Sequence, residues 1–261
     1  MRSLNIGATG MLAQQLNVEV ISNNIANMNT TAYQRRRAEF QDLLYQNQRR
    51  AGANSSDTGT IVPVGIQVGL GVKTASVYRI TETGNLTLTE NSLDLAINGK
   101  GYFQITLPSG DTAYTRAGSF QLDNQGNIVT TDGYTVEPGI TVPADATGIT
   151  VNSSGEVLAS LDGQVTPSNL GQLSLSTFAN EAGLSSVGDN LFLETPASGA
   201  PSSSTPGSTG YGTIEQGFLE TSNVNVVEEI TNLITAQRAY EMNSKVIETS
   251  DQMMSTVSQM R

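Results

Sequence analysis

Apolar residues recur every seven positions at both ends of this chain. Near the N-terminus they are Leu4, Met11, Val18 and Ile25, with Ile21 and Met28 three residues after the last two. Near the C-terminus they are Val226, Leu233, Tyr240, Ile247 and Met254, supported by Ile230, Ala236 and Val257. That period lays a stripe of apolar side chains along one side of a helix. Helices are predicted over residues 3–28, with Ser3 as N-cap, and from Asn225 toward Gln259, with Ser222 or Asn223 as cap. The second helix would run roughly 50 Å at ~1.5 Å per residue. Glu228 and Glu229 sit in its first turns, where the macrodipole favours anions. Isolated helices are marginal in water, so each stripe needs a partner. That partner is either the chain's own core or the helices of other copies. Gln237, Ser244 and Asp251 lie one turn beyond Leu233, Tyr240 and Ile247 and read as polar gaps in such a seam, where polar residues fix register and partner number.

Between the ends the pattern changes to short β-branched runs separated by turn residues. Strands are predicted at 68–72, 75–80, 93–97, 102–107, 128–131 and 133–136. The segments 99–101, 108–111 and 123–126 carry turn chemistry. Residues 120–129 (FQLDNQGNIV) echo residues 149–158 (ITVNSSGEVL), and both read as hairpins whose Gly supplies the positive φ of the turn. Residues 49–60 are polar and Gly-rich and read as a loop or an adaptable arm. Residues 195–213, rich in Pro, Gly and Ser, read as an extended return segment or linker.

Composition narrows the chemistry. Among 261 residues there is no Cys and no His, which removes thiolate nucleophiles, sulfur metal sites and the commonest general base. The net charge of −11 resides between Lys73 and Glu220, where 15 acidic residues face 4 basic ones. Such a field disfavours nucleic acid and anionic lipid, so neither nucleic-acid binding nor membrane insertion is expected. No run approaches the ~18 apolar residues of a membrane span, and the first ten residues lack the apolar run of a cleaved secretory signal. The Gly-rich stretch Gly65–Thr74 fails as a phosphate loop, because Val72 rather than Gly precedes Lys73. The turn at Asp123–Asn127 lacks the ligand spacing of an EF-hand, so a hairpin turn is expected there. Arg35, Arg36 and Arg37 stand beside Glu39 and Asp42, which favours salt bridging over phosphate binding. Neither cofactor nor metal is expected.

Four segments together carry a resemblance. Residues 21–33 (ISNNIANMNTTAY), 95–103 (LAINGKGYF), 113–120 (AYTRAGSF) and 222–245 (SNVNVVEEITNLITAQRAYEMNSK) resemble the signatures of the bacterial flagellar basal-body rod and hook protein family. Residues 10–17 (GMLAQQLN), 37–45 (RAEFQDLLY), the arm at 46–60 and the total length are most similar to its distal-rod members. Ala32 stands where the family usually has Gly: if that position needs positive φ, Ala is strained there by ~1 kcal/mol or more, and the fold tolerates the change only where the backbone is ordinary.

The resemblance implies an α+β fold in which the N- and C-terminal helices pair as a coiled-coil domain around a β-rich middle. Its parts are residues 1–30 with 225–261 as the inner helical domain, 31–72 as an intermediate segment with an extended arm, and 73–224 as a β-rich outer domain. The implied role is a structural subunit, not an enzyme. It self-assembles into a helical tubular drive shaft that transmits torque through the periplasm to the hook. The implied partners are further copies of the chain, proximal rod proteins, the hook protein, the peptidoglycan and outer-membrane bushing rings, and a rod cap during assembly. The implied location is the flagellar basal body, from periplasm to outer membrane, reached by type III export without signal cleavage. The expected assembly interface is Leu4, Met11, Val18, Ile21, Ile25, Val226, Ile230, Leu233, Tyr240, Ile247 and Met254. A proximal rod or hook subunit is the alternative within the family. A secreted β-rich glycan hydrolase is the alternative outside it, and two buried carboxylates in a cleft would distinguish it.

Overall fold

The computed structural model describes residues 2–50 and 64–260, so residues 51–60 of the expected arm lie outside the described residues. The chain divides into two compact units. The first comprises Met1–Ala26, Arg36–Tyr78 and Asn225–Arg261; the second comprises Asn27–Arg35 and Arg79–Val224. The fold is α+β, with one long helix at each end of a β-rich middle.

The first unit holds helix α1 (Arg2–Ala26), helix α2 (Val226–Gln259) and an antiparallel ribbon. Helix α1 is two residues shorter at its C-terminal end than the pattern predicts, and Ser3 lies inside its first turn rather than at a cap. The N-cap of α2 is Asn225, whose side chain accepts hydrogen bonds from the backbone N–H groups of Val227 and Glu228. Ser222 and Asn223 do not cap it. Asn223 instead stitches three segments of the second unit: its Oδ1 accepts from the Arg35 N–H at 2.7 Å, and its Nδ2 donates to the carbonyls of Ile80 and Glu82.

The sequence anticipates one side of this ribbon, at 68–72 and 75–80, but not the strands at 36–42 and 45–49. Strand Arg36–Asp42 pairs with Val72–Arg79, and Tyr45–Arg49 pairs with Ile66–Gly69. Bonds from Leu43 N–H to the Gly71 carbonyl and from Leu70 N–H to the Leu44 carbonyl join the two ladders. Much of this ribbon is exposed on both faces, so its sequence shows no inside–outside alternation. Arg37 pairs with Glu39 at 3.4 Å, as the local salt-bridge reading anticipates.

The second unit is built on an antiparallel sheet. Along its main path run Ser185–Gly188, Leu191–Leu193, Thr112–Thr115, Tyr102–Thr106, Thr135–Val136, Ile128–Val129 and Gln121–Leu122. Leu175–Thr177 also pairs with Tyr102–Thr106 and carries Ser202–Ser204 on its other side. A three-stranded sheet (Ala146–Val151, Glu156–Leu161, Ser168–Gln172) adds to the unit. The main core includes Leu95, Ile97, Phe103, Ile105, Phe120, Val157, Leu175 and Ile214. Phe103 and Phe120 meet edge to face at 5.1 Å. A second cluster of Tyr102, Tyr114, Phe178, Leu184 and Phe192 is covered by the Arg79 guanidinium, 4.1 Å from the Phe192 ring centre.

The two echoed hairpins share one geometry. At Asp123 and at Asn152 the backbone N–H bonds the carbonyl four residues on, and the Gly three residues on donates back. In both, the side-chain Oδ1 accepts from the N–H groups two and four residues ahead. Gly126 (φ +83°) and Gly155 (φ +80°) supply the positive dihedral. Residues 195–213 are not a free linker. Ser198 is buried, Ser202–Ser204 is a strand, and the Tyr211 hydroxyl donates to the Ser202 carbonyl at 2.8 Å.

At Ala32 the strained alternative holds. Its φ is +55°, its side chain is buried, and its N–H donates to the Glu220 carbonyl at 2.8 Å. An L-residue held in the left-handed region is strained.

Candidate assembly interface

Helix α1 lies antiparallel against α2. Ser3 and Leu4 border a recess with Ser250, Met253, Met254 and Val257. Gly7 faces Ile247, and Gly10 faces Asn243, so rising numbers on one helix meet falling numbers on the other. A Cβ built on Gly7 would stand 2.9 Å from Ile247 Cγ1, and one built on Gly10 would stand 2.9 Å from Asn243 Nδ2. The helices approach closely there because neither glycine has a side chain.

Of the expected interface residues, Leu4, Met11, Val18 and Ile25 on α1 are half-buried, and Ile21 is fully buried. On α2, Val226, Leu233, Ile247 and Met254 are half-buried. Ile230 and Tyr240 are exposed. Gln237, Ser244 and Asp251 are also exposed, so they are not the polar members of this seam. Those members lie one position earlier: Asn243 is half-buried and Ser250 is buried, the Ser250 hydroxyl donating to the Val246 carbonyl at 2.7 Å. Glu229, Ala236, Asn243 and Ser250 recur every seven residues, as do Gly7, Gln14 and Ile21. A search for apolar residues passes over them, but the period itself marks them.

Asn24, also unremarked in the sequence, fixes the end of α1 to the ribbon. Its Nδ2 donates to the Arg36 carbonyl at 2.8 Å and its Oδ1 accepts from the Arg36 N–H at 2.9 Å, the two bonds a neighbouring strand would make. Thr9 does similar work near the other end: its hydroxyl donates to the Ile6 carbonyl and accepts from the Val72 N–H. Gly71 (φ +127°) allows this approach, since a Cβ there would collide with Thr9 Oγ1.

Buried carboxylates in the second unit are already satisfied. Asp94 accepts from Thr89 Oγ1 at 2.6 Å and Asn91 Nδ2 at 3.0 Å, and Glu220 from Arg116 Nε at 2.9 Å and the Gly84 N–H at 2.9 Å. A polar groove between residues 122–126 and 142–149 is lined by one carboxylate, Asp123. No helix among the described residues is long and apolar enough to cross a membrane.

Residues 4–34 match the flagella basal body rod protein family, residues 96–159 the flagellar hook protein FlgE/F/G D1 domain, and residues 215–260 the flagellar basal body rod FlgEFG protein C-terminal family. Over its full length the chain is 63% identical to the flagellar basal-body rod protein FlgG of Caulobacter vibrioides, with all of that protein covered. The chain belongs to the flagellar basal-body rod protein family. Agrobacterium fabrum has a FlgG 55% identical over 99% of this chain and 98% of its own length. The FlgG of Bacillus subtilis is 41% identical over 97% of each. The matched rod-family segments at 4–34 and 215–260 contain nearly all of α1 and the whole of α2, the two elements that form the seam.

Proposed function

We infer that this chain is a structural subunit of the flagellar distal rod, and that its terminal helices are its assembly surface. Full-length likeness to FlgG proteins supports the first statement. One observation supports the second: pairing α1 with α2 leaves Leu12, Val227, Ile234, Met242, Met253 and Val257 exposed, more apolar surface than a solitary helical hairpin accounts for. A helical polymer needs unlike patches that meet on successive copies. The residue stripes 4–25 and 226–254 then act as a coiled-coil seam within each subunit, with Ile230 and Tyr240 turned toward neighbours. The ribbon, with Leu44, Tyr45, Val64 and Ile66 exposed, is a second contact element, because a bare two-stranded hairpin is marginal in water.

In this reading residues 1–30 with 225–261 form the inner helical part, 31–72 the intermediate part, and 73–224 the outer part of the shaft. Copies of the chain, proximal rod proteins, the hook protein, the bushing rings and the rod cap are its partners. Subunits reach the periplasmic basal body by type III export. The satisfied buried carboxylates favour a structural over a hydrolytic role.

The test is assembly of Leu233→Asp and Ile247→Asp. A charge buried unpaired in the seam costs several kcal/mol, about enough to abolish polymerisation. The expected outcome is loss of sedimentable polymer with an unchanged melting transition of the β unit. Normal polymer from either variant would rule out the helical seam as an assembly determinant.

A further inference from the structure

Helix α2 carries a second line of side chains, distinct from the seam. Met242, Met253 and Met260 are 64%, 62% and 87% exposed. They are spaced by eleven and seven residues, which at 3.6 residues per turn places all three within about 20° of one line along the helix. Val246 and Val257, also exposed, lie about 40° and 60° to one side of that line. Three of the chain's seven methionines thus stand in one solvent-facing row. Met254, next to Met253 in sequence, is half-buried in the seam, and Met11 is half-buried on α1. An open recess of about 560 Å³, lined by Ser3, Leu4, Met253, Met254 and Val257, connects the row to the seam.

We propose that Met242, Met253 and Met260 are sites of reversible oxidation by hydroperoxides, and that their oxidation state controls whether a subunit can join the polymer. This rests on the assembly reading above. Thioethers are polarizable and adaptable, and suit a surface that packs against another copy. The matching surface is on the chain itself: α1 exposes Ile6 and Leu12, and α2 exposes Val227, Ile230 and Ile234. The chain has no Cys, so methionine is its sulfur-based oxidation site.

The step is a two-electron oxygen transfer. A lone pair on Sδ attacks one oxygen of hydrogen peroxide, the O–O bond breaks, an S–O bond forms, and the remaining oxygen leaves as water. Sulfur is oxidised and peroxide reduced. The product sulfoxide is polar where the neighbouring copy offers apolar side chains, and enzymatic reduction restores the thioether. Exposure sets the order of reaction: Met242, Met253 and Met260 before Met254 and Met11.

The experiment treats the full-length monomer with hydrogen peroxide, locates sulfoxides by peptide mass spectrometry, and measures polymer by sedimentation. A triple variant, Met242→Leu with Met253→Leu and Met260→Leu, is carried through the same steps. The expected result is early oxidation of the three methionines of the row, a rise of at least ~10-fold in the concentration needed for polymer, and resistance of the triple variant to the same treatment. Undiminished polymerisation of protein oxidised at the three sites overturns the proposal while leaving the assembly reading intact. Loss of assembly in the peroxide-treated triple variant also overturns it, since other residues would then be responsible. Failure of the untreated wild-type chain to polymerise at any concentration sinks both.

Discussion

Arg116 and Glu220 form an ion pair at 2.9 Å with both side chains 2% exposed. The guanidinium also donates to the carbonyls of Gly99 and Gly101 at 3.1 Å, and Glu220 accepts from the Gly84 N–H. The pair therefore ties the Leu95–Asn98 strand and its following turn to the last strand before α2. Removing one partner strands the other charge without water. Arg116→Met or Glu220→Leu is expected to cost about 3–5 kcal/mol. The double variant should lose clearly less than the sum, because no charge is left unpaired, although the freed carbonyls keep it below wild type. The chain has no Trp, so urea unfolding followed by tyrosine fluorescence, with Tyr102 and Tyr114 buried in this unit, is the measurement. Additive losses would mean that the two side chains act independently.

Ala32 holds a left-handed backbone at φ +55° while its N–H serves the Glu220 carbonyl. Glycine adopts that conformation without Cβ strain. It gives back part of the gain through its greater freedom in the unfolded chain. Ala32→Gly is expected to stabilise the β unit by about 0.5–1 kcal/mol, while Ala32→Val destabilises it. A lower midpoint in urea for the Gly variant would show that the surrounding contacts, not the dihedral, set the stability there.

The Asp123 carboxylate is held below the usual aspartate range by backbone hydrogen bonds from Asn127 and Gln125, against a small opposing effect of burial. Because the folded value is depressed, the turn's contribution is fully present above the unfolded aspartate pKa. It fades as pH falls toward and through the lower folded value. Carbon-13 titration of the Asp123 carboxyl in the intact chain should give a midpoint below that of unstructured aspartate. Asp123→Ala should remove that part of the acid sensitivity. An unshifted midpoint would mean that these bonds are not formed in solution.

What the sequence made legible follows from what is buried on one side only. The terminal helices were visible because a seven-residue apolar period survives along both, and the hairpins at Asp123 and Asn152 because Asx and Gly turn chemistry is local. The ribbon at residues 36–49 was not visible, since strands exposed on both faces carry no alternation to detect. Asn223, with Ser222 one of two candidate caps, stands where a polar residue usually caps a helix, yet its side-chain partners lie 141 to 188 residues away. Arg116 shows the same limit: its carboxylate is 104 residues distant, and no local pattern points to it. Small residues on the seam escaped for a different reason. Gly7, Ala236 and Ser250 contribute by what they leave out, which hydrophobicity does not register.

That last point gives the sharpest test of the seam. At Gly7 an added Cβ lies 2.9 Å from Ile247 Cγ1 and 3.4 Å from its Cδ1, so Ile247 or the whole helix must shift. At Gly10 the nearest atoms belong to the end of the Asn243 side chain, which can rotate aside. In both, replacing glycine within a helix adds intrinsic propensity, worth about 0.8–1 kcal/mol for alanine. For Gly10→Ala the propensity should prevail, and the helical unit should be as stable as wild type or slightly more so. For Gly7→Leu a full side chain is forced into the closest approach of the two helices, and overpacking of about 1–3 kcal/mol should outweigh any propensity gain. Limited trypsin digestion reads the outcome, because Arg238 and Lys245 lie on α2 whereas Arg79 and Arg116 are buried in the other unit. Cleavage at Arg238 and Lys245 should accelerate in Gly7→Leu and remain at the wild-type rate or slower in Gly10→Ala, while cleavage within residues 79–224 should be unchanged in both. Equal protection of the two variants would mean that α1 and α2 do not meet through Gly7.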